Sequence, residues 1–200
     1  MLYTTIEAFK QALDTETAVA AKVAELNATM ESVSRSIDRY CTGQPYGSDN
    51  YFELDDVVDE LLPGQIDSTG NILCYPRKPK VTAVSAISYR LKPADQWTEI
   101  PEENVTITNA VKLWVGSGLR QGPVLLQLSY TGGLSSTSVS LPADFRDAAT
   151  VLSVRFYKEV KSGLGDSIGV AELGTMVYTK AWPERVRAML QPYVRTVPWT

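Results

Sequence analysis

The spacing of apolar and polar positions changes period several times along the chain. Near the start, Thr4-Thr5-Ile6-Glu7 sets a threonine three residues ahead of a glutamate. That is capping-box spacing, and it predicts a short helix over residues 5–13. Asp14 or Thr15 can cap a second helix, with Glu16 favourable at its positive end. Val19, Val23, Leu26, Met30, Val33, Ile37 and Tyr40 then recur at alternating intervals of four and three, a narrow heptad-like stripe on a long helix reaching residue 40. Such a stripe either packs on a neighbouring helix or subunit or lines an ordinary core. Val19, Val23, Leu26, Met30 and Val33 are the candidate subunit–subunit contact. Gly43 and Pro45 stop the helix.

From about residue 51 to 130 the period becomes alternating, with glycine and proline as punctuation. Residues 71–75, 81–91, 105–108, 111–115 and 124–130 predict strands. The third and fourth face each other across Asn109-Ala110, and Val124, Leu126, Leu128 and Tyr130 give the strongest alternation. The acidic stretch 53–60 reads as a solvated face before the first strand, and residues 131–140 as a glycine- and serine-rich linker. Pro142 and Asp144 open a helix on which Phe145, Ala148, Ala149, Leu152 and Phe156 recur at helical spacing. A glycine-rich loop covers residues 162–174. A last short helix starts at Pro183, with Val186, Met189, Leu190 and Tyr193 on one side. These elements predict an α+β chain: a mostly antiparallel helical bundle with a small inserted antiparallel β-domain. Residues 1–46 supply the N-terminal helices, 47–135 the β insertion, and 136–200 the C-terminal helices, loop and tail that complete the bundle.

A length of 200 residues with 44% hydrophobic and 21% charged positions is enough for a sizeable core and argues against disorder. No apolar run approaches the roughly 18 residues a membrane span needs, and the first residues lack the basic start and apolar centre of a signal peptide. Synthesis in the cytoplasm, with no membrane contact, is the expectation. Cys41 and Cys74 match no metal spacing and no disulfide framework. The net charge of −4 conceals an asymmetry: residues 1–60 hold 12 acids and 4 bases, and residues 61–200 hold 11 acids and 15 bases. No basic patch reaches nucleic-acid-binding density; Arg77-Lys78-Pro79-Lys80 is short and broken by proline.

Gly165-Asp166-Ser167-Ile168-Gly169 spells G-x-S-x-G, the pattern of a serine-hydrolase elbow. That elbow needs a base and a strand before the serine. The chain has no histidine, and the preceding segment reads as helix. The stretch is therefore expected to be a mobile or partner-ordered loop, with no catalytic residue. The same lack of histidine removes the common zinc sites, and no EF-hand, Walker loop or dinucleotide fingerprint occurs. No metal and no cofactor is expected.

The order of parts resembles the head–tail connector, or adaptor, proteins of tailed bacteriophages. The carrying segments are Ser34-Arg35-Ser36-Ile37-Asp38-Arg39-Tyr40-Cys41, then Tyr75-Pro76-Arg77-Lys78-Pro79-Lys80-Val81, then Leu128-Ser129-Tyr130-Thr131-Gly132-Gly133-Leu134. Leu141-Pro142-Ala143-Asp144-Phe145-Arg146 and Trp182-Pro183-Glu184-Arg185-Val186 follow. The match spans nearly the whole length; the long β-region departs from compact members. The resemblance implies a structural virion protein of the neck, forming a ring of about twelve copies below the portal. The ring extends the DNA channel, lets double-stranded DNA pass without specific binding, and offers a platform to the next neck or tail protein. On this reading Gly163, Gly165, Asp166, Ser167, Trp182, Arg185, Arg187, Tyr193, Arg195 and Trp199 are the candidate portal or neck interface. Alternatives are another neck ring, such as a stopper or tail terminator, and a ligand- or carbohydrate-binding β module using Tyr89, Trp97 and Trp114.

Overall fold

A computed structural model describes residues 1–13, 20–44, 50–107, 111–114, 121–162 and 182–195. The described residues divide into two units, one within residues 1–50 and 137–195 and the other within residues 51–136.

The first unit is helical: α1 (Ile6–Leu13), α2 (Ala20–Thr42), α3 (Ala143–Ser162) and α4 (Glu184–Leu190). Thr5 starts α1, its Oγ1 accepting from the Ala8 N–H at 3.2 Å. Thr4 is instead paired with Thr150 of α3, hydroxyl to hydroxyl, at 2.6 Å. The apolar stripe of α2 turns inward. Leu26 and Met30 are buried with Phe9 of α1, and Leu2, Ile6, Leu13, Val154 and Tyr157 pack around them. Gly43 ends α2 at φ +69°, a left-handed conformation that costs glycine little, and its N–H donates to the Arg39 carbonyl at 2.8 Å.

The second unit is a seven-stranded antiparallel sheet in the order β4-β3-β7-β1-β2-β6-β5. Its strands are β1 (Asp55–Ile66), β2 (Asn71–Cys74), β3 (Val81–Arg90), β4 (Thr98–Glu99), β5 (Val105–Ile107), β6 (Val111–Trp114) and β7 (Gly122–Gly132). Alternation places Val124, Leu126, Leu128 and Tyr130 of β7 on the inner face, with Ile66, Ile72, Ile87, Ile100 and Leu113. β5 also touches β3, so the sheet curls around this core.

The expected architecture of a helical bundle with a small β insertion is corrected by this sheet. The β-region is an extended sheet with its own buried core. Sequence reading missed two strands, the two-residue β4 and the much longer β1, twelve residues paired with β7 along its length. The acidic start of β1, Asp55, Asp56, Asp59 and Glu60, hides the strand pattern because those side chains interrupt the apolar alternation. The expected linker is corrected too. Thr131 and Gly132 belong to β7, and Gly133 donates to the Pro79 carbonyl at 2.7 Å. Leu134 donates to the Phe52 carbonyl at 2.8 Å. Gly133 sits at φ +132°, where an added Cβ would lie 2.3 Å from the Glu53 carbonyl oxygen. The glycine is therefore required by geometry.

Candidate functional site

The interface residues expected from sequence fall into three groups. Gly163, Gly165, Asp166, Ser167, Trp199 and Val19 lie outside the described residues. Trp182, Tyr193 and Arg195 tie the C-terminal stretch to its own helical unit. The Trp182 ring packs on Tyr40 at 4.8 Å between centroids. Tyr193 meets Phe145 edge-on at 5.0 Å, and Phe145 meets Tyr3 in the same way at 5.1 Å. The Tyr193 hydroxyl donates to Asp144 Oδ1 at 2.9 Å, and the Arg195 N–H donates to the Cys41 carbonyl at 2.7 Å. Arg185 and Arg187 form the third group. They are exposed on α4 while Val186 and Leu190 are buried beneath them. Of the α2 stripe, Leu26, Met30 and Val33 are buried within the chain's own fold, and Val23 is half-buried.

Tyr3 organises the polar interior of the helical unit. Its hydroxyl donates to Asp38 Oδ1, and its N–H donates to Ser34 Oγ at 3.1 Å. The Ser34 hydroxyl in turn donates to the Met30 carbonyl at 2.8 Å. Beside this network lies a cleft of about 320 Å³ whose walls include Met1, Glu31, Ser34, Arg35, Asp38 and Asn50.

The sheet carries a second concavity, of about 300 Å³, lined by Asp59, Ser88, Trp97, Glu99, Gln127 and Ser129 among others. Gln127 of β7 stands opposite Ser88 of β3, which in turn stands opposite Glu99 of β4, so register alone aligns three of these side chains in one row. Asp59 enters through a β-bulge in β1, at φ +55°. Its N–H donates to Ser129 Oγ at 3.0 Å, and Ser129 Oγ lies 3.3 Å from Asp59 Oδ1. The Arg90 guanidinium sits 4.4 Å over the Trp97 ring and donates to the Pro93 carbonyl at 2.8 Å. Sequence reading singled out Trp97 but not its companions, because only strand pairing brings residues 59, 88, 99, 127 and 129 together. Tyr89 packs toward the core instead, and Trp114 stands on β6.

Neither thiol is poised for chemistry. Burial, then the charge of Asp38, pushes Cys41 up to about 12; burial, then the charge of Glu60, does the same for Cys74. Burial and the adjacent Asp144 push the Tyr193 phenol up to about 12. Among the described residues no cluster of three or more His, Cys, Asp or Glu could hold a metal ion, and no helix is long and apolar enough to cross a membrane.

No protein-family model and no curated protein matches the chain. Solved structures share its fold, two of them as follows. One is a chain of the neck of an empty gene transfer agent (GTA) particle computed with C6 symmetry, with a TM-score of 0.55 and 16% identity over 98% of this chain and 91% of that one. The other is a chain of the virion of a native GTA particle, with a TM-score of 0.52 and 17% identity over 96% of this chain and 88% of that one. At such identities the likeness establishes the fold that this chain has in common with components of GTA particles.

Proposed function

We propose that this chain is a structural subunit of the neck of a phage-like particle, working by assembly. The observation that carries the reading is the shared fold over nearly the whole chain with a protein of a GTA neck. The adaptor resemblance in the sequence points the same way from different information. The finer reading is an adaptor ring below the portal, which continues the DNA channel and receives the next neck or tail protein. A ring of twelve is compatible with the sixfold symmetry of that neck. Each subunit in a ring needs two unlike lateral faces. The acidic first 60 residues and the more basic remainder supply charge of opposite sign for such faces. Leu26, Met30 and Val33 are buried in the subunit's own core, which favours other surfaces for lateral contact. Arg185 and Arg187 on α4 are our candidates for the portal or neck contact. They are charged, exposed and held on a helix whose other side is anchored.

Electron microscopy of particles made with and without the protein tests the reading. The expected result is density for a ring of this fold between head and tail, and loss of tail joining when the protein is missing. Particles that keep their genome and join tails normally without it would overturn the reading.

A further inference from the structure

The groove on the sheet has a chemistry that assembly does not require. We propose that it is a binding site for a neutral saccharide. Four observations support this.

The first is charge. Asp59 and Glu99 line the groove and repel an anion, while Arg90, 4.4 Å over the Trp97 ring, opposes a second cation beside the same indole. A neutral ligand rich in hydroxyl groups avoids both penalties, because its hydroxyls donate to the carboxylates and accept from an amide.

The second is the pairing of polar and apolar surface. Ser88 Oγ lies 3.5 Å from Gln127 Oε1, so the amide oxygen faces a hydroxyl and the Gln127 nitrogen serves as the donor. Trp97 lines the groove, and the part of its ring that Arg90 does not cover is the apolar surface for the C–H face of a sugar.

The third is preorganisation. Asp59 is fixed by the bulge and by Ser129 on both its backbone and its carboxylate. Trp97 is held by Arg90, itself tied to the Pro93 carbonyl. Groups already in place lose little freedom when a ligand binds.

The fourth is size. The groove volume of about 300 Å³ stands at the lower end of the range of roughly 300–1,000 Å³ for small-molecule sites, which suits one or two sugar rings.

The experiment is nuclear magnetic resonance on the full-length, isotopically labelled protein, titrated separately with maltotriose, cellotriose and chitotriose to about 20 mM, a range that detects millimolar dissociation constants. The expected result is that at least one probe shifts Ser88, the Gln127 side-chain amide and the Trp97 indole together. Trp97→Ala and Gln127→Ala should each weaken that binding by about tenfold or more, a loss of about 1.4 kcal/mol. Should Trp97→Ala disturb the fold, visible as shifts throughout the spectrum, Gln127→Ala and Glu99→Gln decide the matter from the surface. The proposal is overturned if no probe perturbs the groove, if the shifts map elsewhere, or if the variants bind as the parent does. It is also overturned if an arginine-rich peptide occupies the groove and none of the sugars does. The site is independent of the neck reading, and failure of either leaves the other standing.

Discussion

The Tyr3 hydroxyl donates a hydrogen bond to the carboxylate of Asp38, and both residues are almost wholly buried. One bond thus joins the segment before α1 to the last third of α2. Removing a donor from a buried charged acceptor costs roughly 1.5–3 kcal/mol. Tyr3→Phe keeps the ring that packs on Phe145 and loses only the proton donor. It should lower unfolding stability by about 2 kcal/mol in urea titration, with the helical circular dichroism of the native state unchanged.

Among the described glycines of the sheet unit, Gly133 has the closest clash waiting for a side chain. Gly133→Ala combines φ +132° with a Cβ only 2.3 Å from the Glu53 carbonyl oxygen. Relief requires movement of backbone, so the variant should lose more than about 3 kcal/mol or fail to accumulate as soluble protein. A folded, equally stable variant would contradict the turn geometry.

Alkaline pH should unfold the protein through its buried acids. Cys41 and Cys74 are each raised from 9.0 to about 12 in the folded state. Their contribution is complete below pH 9, where both states hold the proton, and is lost as pH climbs from 9 through 12, because the unfolded thiol ionises first. Stability measured against pH should fall across that window, and replacing both cysteines by alanine should flatten the fall. At pH 8 a thiol-reactive reagent should label neither residue until the protein is unfolded.

Charge reversal on α4 separates folding from assembly. Arg185→Glu with Arg187→Glu alters only exposed positions, so melting temperature should move by no more than a few degrees. Incorporation into particles, read by quantitative immunoblot of purified heads, should drop at least about tenfold if these arginines contact the portal or neck. Incorporation at the parental level would remove α4 from the proposed interface.

Local rules made some elements readable and not others. The four–three spacing on α2 and the alternation in β7 each survive in a single segment, so both elements were legible. The pairing of β5 with β6 followed from a short turn between two apolar runs. β1 was not legible, because Asp55, Asp56, Asp59 and Glu60 carry the polar signal of a loop while their backbone pairs with β7. The expected partner-facing roles of Trp182 and Tyr193 meet a related ambiguity, and both residues stay partly exposed. An aromatic near a chain end reads alike whether it serves a neighbour or its own fold, and here Tyr40 and Phe145 take those faces. The groove lay beyond reach for a stronger reason: its lining residues are up to 70 positions apart and meet only through register.

The division of the chain also sets an order of events during synthesis. Among the described residues the sheet unit is one uninterrupted stretch, residues 51–136, whereas the helical unit is built from both flanks. When α1 and α2 leave the ribosome, α3, against which they pack, has not yet been made. The strands can therefore reach their native arrangement while the early helices still wait for a mate, and translation order favours the later-starting portion finishing first.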